Sequence, residues 1–305
     1  MNEWELRRAA FGDRPDAQVW PAVHSDAARE RWLAAVVLGA QGHYAAAATV
    51  LTALLRHPRP VLASLAGSTL ASHRRQLGGH AAARRLDAFA LGRLRDITHA
   101  ESDVDSDGVD TAGAAVDALL GLAADAIGLG RIAEASRLHA AAEKASGGGW
   151  RSDVRLGWVA AEIELASGRA EQAVAPAEAA LSVATAAGSA RHVLKSELVL
   201  GTALVVWGAP ESRERGVQML RCDLNHTVQL GLASLVWPAA LVVLEHDHAG
   251  ADRALDRARN ALNCVLRGSD PEGRRLALES PWVPTGLLRS GEPPNADPQA
   301  NFLTD

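Results

Sequence analysis

Residues 31–55 read RWLAAVVLGAQGHYAAAATVLTALL, and Pro58 and Pro60 follow them. Two apolar, alanine-rich segments flank a turn at Gly42, and alanine favours the helix more than any other residue. Glycine at such a turn can adopt the left-handed backbone that ends a helix, whereas proline cannot continue one. The stretch therefore predicts two helices that pack against each other as a hairpin through small side chains.

The same pattern returns along the chain. Further turns fall near Gly78, Gly130 and Gly168, and less regular ones fall near Gly208 and Ala249. The sequence contains 62 alanines but only 12 aromatic residues. This composition favours helices packed through small side chains over a sheet, which needs β-branched and aromatic residues. Because repeated hairpins bury their apolar stripes against their neighbours, the pattern predicts an all-α fold.

The repeated hairpin resembles the tetratricopeptide repeat (TPR), a helix–turn–helix unit of about 34 residues. With Gly42 as the turn glycine, the aromatic and the small residue that this family places in its second helix fall on Tyr44 and Ala47. The later units, aligned on their turns, place alanine at the equivalent small positions: Ala83, Ala90, Ala135, Ala142, Ala173, Ala180, Ala254, Ala258 and Ala261. The resemblance covers residues 28–266. It implies an α-solenoid of about six degenerate TPR-like repeats with unequal spacing between turns.

The segments on either side of the repeats predict a cap and a tail. Residues 1–27 contain a short candidate helix over 3–10 and are expected to cover the first hairpin as an N-terminal cap. Residues 28–266 form the predicted repeat domain, which an acidic loop interrupts at 101–113. In residues 267–305, Ser269 or Asp270 is expected to cap a short helix that Pro271 opens, and a proline-rich tail follows.

Charge and composition restrict the functional classes. The formal net charge of -5 argues against a protein that binds nucleic acid over its whole surface. The N-terminus lacks the apolar core of a signal peptide, and the longest apolar stretch, 198–209, is far short of the roughly 20 residues that span a bilayer. These features predict a cytoplasmic protein without a membrane partner. The bias toward alanine and arginine, with almost no lysine, indicates a GC-rich bacterial genome.

The first helix of each unit carries the predicted binding surface. In TPR arrays these helices line a concave groove, so the resemblance implies that a peptide or protein partner binds there. Carried onto this chain, the groove positions in the predictions are Arg29, Trp32, Ser72, Arg75, Arg155, Trp158, Glu162, Lys195 and Thr202. Two tryptophans among several arginines are typical of an interaction hot spot. The alternative is that both tryptophans pack between neighbouring repeats.

A basic stretch in the second unit supports a different function. Arg74, Arg84, Arg85 and Arg95 lie there close to a single acid, Asp87. Arginine binds phosphate groups through two parallel hydrogen bonds, so a regulator that contacts RNA or DNA is the alternative. Two further interpretations of this stretch are that it binds an acidic protein partner and that it is simply solvated.

The acidic loop has part of a calcium-binding pattern. Asp103, Asp105, Asp107 and Gly108 follow the spacing D-x-D-x-D-G, in which alternate carboxylates converge on one cation. The twelfth position of the loop is Ala114, where a calcium loop has a bidentate glutamate. The pattern therefore favours a solvated connection, and calcium is the alternative.

Enzyme motifs are weak throughout the sequence. Residues 128–133 read GLGRIA and satisfy the dinucleotide fingerprint G-x-G-x-x-A, but a helical segment precedes them where the fingerprint needs a strand. We therefore expect no cofactor. The sequence predicts a non-catalytic protein that binds a protein or peptide partner. An enzyme whose site is assembled from distant residues is a further alternative.

Overall fold

In the computed structural model, which describes residues 1–95, 97 and 104–288, the chain is helical and these residues contain no strand. This confirms the all-α prediction. Fourteen α-helices are present in the described ranges: α1 (Glu3–Phe11), α2 (Ala28–Ala40), α3 (Tyr44–Leu54), α4 (Pro60–Gln76), α5 (His80–Gly92), α6 (Thr111–Gly128), α7 (Ile132–Ala145), α8 (Trp150–Ala166), α9 (Ala170–Ala186), α10 (Ala190–Trp207), α11 (Pro210–Gln229), α12 (Ala233–His246), α13 (Ala251–Arg267) and α14 (Pro271–Glu279). Short 3-10 helices lie at Trp20–His24, His248–Gly250 and Thr285–Leu288.

Helices α2 to α13 pack in consecutive pairs, from α2 with α3 to α12 with α13. Small side chains form the contacts within the pairs, since the alanines predicted at these positions in the second helices are buried. The first helices also contact one another in sequence, α2 with α4, α4 with α6, and onward through α6, α8 and α10 to α12.

The turns inside the pairs depend on glycine. Gly42 has a φ of 89°, a left-handed conformation that ends α2 and allows α3 to reverse direction. The other predicted turn glycines, Gly78, Gly130, Gly168 and Gly208, have the same left-handed backbone. The last pair turns instead through the short 3-10 helix between α12 and α13.

The first pair of helices meets the last one. Helix α2 contacts α12, and the backbone N–H of Ala45 donates a hydrogen bond of 2.6 Å to the carbonyl oxygen of Gly268. Gly42 lies close to Ala233 and Val265, with no room between them for a large side chain. Helix α1 contacts α10 on the other side. The sides of the first helices that face one another are therefore enclosed by the chain itself, and we call this surface the inner face.

The C-terminal segment returns to the second pair. Asp270 caps α14 by accepting a hydrogen bond from the N–H of Gly273, as the sequence predicts, and its carboxylate also pairs with Arg74 at 2.6 Å. The ring of Trp282 lies 6.0 Å from that of His80. These contacts fix α14 against the turn between α4 and α5. The proline-rich tail from residue 289 onward lies outside the described residues.

Helix α6 is the one helix in the described ranges whose length and composition would suit a membrane span. Its 18 residues have a mean hydropathy of 1.3, and 72% of them are buried inside the fold. The apolar residues of α6 therefore form core contacts.

A substitution at Gly121 tests the tight packing of α6. A Cβ atom there would overlap a carboxylate oxygen of Asp87, which is buried beside Arg75. We expect Gly121→Ala to lower the free energy of unfolding by about 1–3 kcal/mol, because overpacking displaces buried groups. Gly92→Ala is the control, since no atom lies within 4 Å of that position. Urea denaturation measures both, and an equal effect of the two substitutions would contradict the packing described.

Candidate binding site on the inner face

A polar cavity of about 70 Å³ lies on the inner face. Helices α1, α2, α4, α6, α8 and α10 all contribute to its wall. Its lining includes one carboxylate, three guanidinium groups and two imidazoles: Asp117, Arg151, Arg155, Arg191, His73 and His192. Val36, Thr69, Ser72, Arg155 and Arg191 are only partly buried, so the cavity reaches the surface at these residues. We call this surface opening the mouth.

A smaller cavity of about 20 Å³ adjoins the first. Ser72 and Arg155 line both cavities. Six of the nine groove residues predicted from the sequence line one or both of them: Trp32, Ser72, Arg75, Arg155, Trp158 and Glu162. The structure thus brings together residues from α2, α4 and α8 that are far apart in the sequence.

The other three predicted groove residues lie outside the two cavities. Arg29 pairs with Glu3 of α1 at 3.3 Å. Lys195 is buried with its Nζ atom 3.5 Å from a carboxylate oxygen of Glu162. The buried hydroxyl of Thr202 donates to the carbonyl oxygen of Leu198 on its own helix. These side chains contribute to the packing around the site rather than to its walls.

Both predicted anchor tryptophans are buried. Trp32 is 1% exposed and donates its indole N–H to the hydroxyl of Thr69 at 3.0 Å. Trp158 is 5% exposed, donates to the hydroxyl of Ser196 at 2.8 Å and stacks on His192. The two rings therefore pack between neighbouring helices, the alternative left open by the sequence, and offer little surface to a partner in this conformation.

Arg75 is held by two buried carboxylates. Its guanidinium pairs with Asp87 and, at 2.8 Å, with Asp125, and it also donates to the carbonyl oxygen of Gly121 at 3.0 Å. Burial raises the pKa of Asp87, Arg75 opposes the rise, and the charge of Asp125 adds to it. Arg75 therefore links α4, α5 and α6, and its hydrogen-bonding groups serve the core.

Arg151 and Arg155 share one carboxylate, Asp117. Arg151 donates to it at 2.8 Å and uses its remaining nitrogens for the carbonyl oxygens of Asp107 and Gly108. The Nε atom of Arg155 lies 3.1 Å from Asp117 as an ion pair without a hydrogen bond, and its two terminal nitrogens form no hydrogen bond to a described residue. With 25% of its side chain exposed, Arg155 presents these donors where the two cavities meet.

Burial is the main cause of the lowered pKa values of the two histidines in the larger cavity. Burial, and then the charges of Arg74 and Arg191, lower the pKa of His73 to about 3. Burial, followed by the charges of three nearby arginines, lowers the pKa of His192 well below its usual value. Both imidazoles are therefore neutral near pH 7, and the arginines supply the positive charge of the cavity.

The sequence predictions missed four basic residues of the larger cavity: Arg151, Arg191, His73 and His192. The spacing of residues along a helix could have identified two of them. Arg151 lies four residues before Arg155, and Arg191 lies four residues before Lys195, so each shares a helix face with a residue already chosen. The two histidines carry no such signal, since their burial depends on contacts between distant helices.

The four arginines of the basic stretch do not form one surface. Arg74 is buried and paired with Asp270, while Arg84 pairs with Glu134 at 2.6 Å. Arg85 and Arg95 are exposed. Because acids from distant parts of the sequence neutralise two of the four arginines, the structure gives no specific support to a nucleic-acid interface here.

The acidic loop is docked by arginine. Arg7 of α1 pairs with Asp105 at 2.7 Å and with Asp107 at 2.6 Å. Burial would raise the pKa of Asp105, but hydrogen bonds from Arg7 and from two backbone amides lower it to about 2. Asp103 lies outside the described residues. The carboxylates of Asp105 and Asp107 thus serve to hold α1, and the part of the chain that the structure describes contains no group of three metal-ligating side chains.

One further buried acid lines neither cavity. Both carboxylate oxygens of Asp223 on α11 lack a hydrogen-bond partner in the described part of the chain. Burial raises the pKa of Asp223 well above its usual value, Glu197 adds to the rise, and Lys195 opposes it. The folded state therefore keeps this proton to higher pH than the unfolded chain does. Asp223 makes folding less favourable as pH rises above about 4.

No known protein-family model matches the chain, and no curated protein matches it in sequence. We therefore infer what the site can bind from the geometry of its side chains. The inner face combines guanidinium donors, one shared carboxylate and neutral imidazoles around a small polar space. This arrangement can bind an anion.

Substitutions at Trp158 and Arg155 separate packing from binding. The sequence alone leads us to expect little loss of stability when both are replaced by alanine, but the burial of Trp158 reverses this expectation. We expect Trp158→Ala to cost about 3–5 kcal/mol of unfolding free energy. Arg155→Ala should cost no more than about 1 kcal/mol, since Asp117 keeps Arg151 as a partner.

Trp207→Ala is the matched control, because this ring is 38% exposed at the end of α10. Urea denaturation compares the three variants. If Trp158→Ala were as mild as Trp207→Ala, the ring would not be part of the core.

Proposed function

We propose that the protein is a non-catalytic binding protein in which about six TPR-like hairpins stack as an α-solenoid and an acidic segment of a partner protein binds at the mouth of the inner face. The observation that carries the proposal is the arginine-lined cavity to which α1 and the first helices of five successive pairs contribute. The buried alanines, the left-handed turn glycines and the contacts between successive first helices support the solenoid.

The size of the site restricts how a partner binds. Cavities of about 70 and 20 Å³ are too small for a peptide backbone. A partner segment therefore lies across the mouth and directs one acidic side chain toward Arg155. A guanidinium with two terminal donors suits a carboxylate, because the two groups form parallel charge-assisted hydrogen bonds. Trp32 and Trp158 then support the site from behind instead of anchoring the partner.

A random peptide library panned on the whole protein tests this function. We expect enrichment of peptides that contain aspartate or glutamate. The affinity of the enriched peptides should fall at least tenfold for Arg155→Ala, a loss of about 1.4 kcal/mol. Fluorescence polarisation with labelled peptides measures it.

Arg85→Ala is the control, because it removes an exposed arginine of the basic stretch and leaves the inner face intact. Failure to enrich any peptide, or equal affinity for wild type and Arg155→Ala, would contradict the proposal. Binding of DNA or RNA that weakens steeply with salt and is lost in Arg85→Ala would favour the nucleic-acid alternative.

A further inference from the structure

The larger cavity of the inner face carries more positive than negative charge. Three arginines line it, and a single carboxylate, Asp117, opposes them. Two of those arginines, Arg151 and Arg155, share that carboxylate. Charge that is partly removed from water is costly unless it is compensated. A bound anion would offset part of this excess of positive charge.

Hydrogen-bond donors converge on this cavity from several helices. The hydroxyl of Tyr44 donates to the side-chain oxygen of Gln76, whose amide donates in turn to the hydroxyl of Ser72 at 3.2 Å. Ser72 accepts that bond, and its own proton has no acceptor within the described residues. Ser72 on α4 and the terminal nitrogens of Arg155 on α8 are therefore both able to donate to a ligand.

A buried polar atom on a residue of the cavity wall also lacks a partner. His73 is 5% exposed and lines the cavity, and its Nδ1 atom forms no hydrogen bond with any described residue. A buried nitrogen of this kind is normally satisfied by protein, water or a ligand. As a neutral imidazole, His73 can place a proton on Nδ1 and donate it to an anion.

Size and geometry define the class of anion. About 70 Å³ holds roughly five water molecules at 10–15 Å³ each, which is the scale of a five-atom oxyanion but not of a nucleotide. A planar carboxylate is satisfied by one bidentate arginine. Donors that approach from both α4 and α8 instead suit an ion that accepts hydrogen bonds in several directions.

We propose that the larger cavity binds a tetrahedral oxyanion of the phosphate or sulfate class, held by Arg155 together with Ser72 and His73. The proposal goes beyond the proposed function, because it requires no protein partner. Both ligands use Arg155, so the oxyanion and an acidic segment compete for the site.

Calorimetric titration of the full chain with inorganic phosphate tests the proposal. Sulfate, acetate and chloride at matched ionic strength are the comparison ligands. We expect saturable binding of phosphate and sulfate, and at least tenfold weaker binding of acetate and chloride. Phenyl phosphate distinguishes the free anion from an ester: the size of the cavity predicts that the ester binds more weakly than inorganic phosphate.

Three variants connect the binding to the cavity. Arg155→Ala should weaken phosphate binding at least tenfold, and Ser72→Ala should weaken it several-fold. Arg155→Lys should restore part of the affinity, because it returns the charge without the planar pair of donors. Arg85→Ala should bind phosphate as the wild type does. Urea denaturation establishes that each variant is folded.

Two results would overturn the inference. One is no phosphate binding to the wild-type protein. The other is equal binding by wild type and Arg155→Ala, which would place the anion elsewhere. Binding of phosphate without enrichment of any acidic peptide would leave the oxyanion site standing and overturn the proposed function. Peptide binding that depends on Arg155, with no phosphate binding, would overturn the oxyanion site and leave the proposed function standing.

Discussion

The structure depends on the pairing of two deeply buried arginines of the inner face with carboxylates from other helices. Arg75 on α4 lies between Asp87 on α5 and Asp125 on α6, and Arg151 on α8 pairs with Asp117 on α6. An unpaired charge at such depth would cost several kcal/mol. These ion pairs therefore fix how α4, α6 and α8 lie relative to one another, and the cavities occupy the space between them.

The contact between α2 and α12 determines what the inner face can do. It encloses side chains that would line an open groove in an unclosed array of hairpins. Trp32 and Trp158 pack between neighbouring helices, while Arg155 keeps two donors where the cavities meet. Small residues at the junction, such as Gly42 beside Ala233, permit this approach. The same packing that stabilises the closed arrangement reduces the binding surface to a small polar space and its mouth.

Much of the helical architecture could be predicted because its signals are local. Turn glycines such as Gly78 and small residues such as Ala83 recur at positions that chain geometry dictates, and the structure has them in turns and contacts between helices. The capping of α14 by Asp270 is local as well. TPR membership and the partner remain predictions, because helix pairing alone specifies neither.

The charge network could not be predicted, because its partners are distant in sequence. Arg74 pairs with Asp270, 196 residues away, and Arg7 pairs with Asp105, 98 residues away. From the sequence, Arg74 looks like part of a basic surface and Asp105 like part of a calcium loop. Tertiary contacts neutralise both. The exposure of Cys222 and Cys264 has the same origin: their positions on α11 and α13 depend on which helix faces are covered.

Small-angle X-ray scattering of the monomer tests the central claim, the closure of the helix array between α2 and α12, most directly. A closed chain of 305 residues predicts a radius of gyration of about 19 Å, from the scaling for compact domains. Its pair-distance distribution should be a single, nearly symmetric peak. A markedly larger radius with an elongated, skewed distribution would show that the first and last pairs are apart in solution and that the inner face is an open groove.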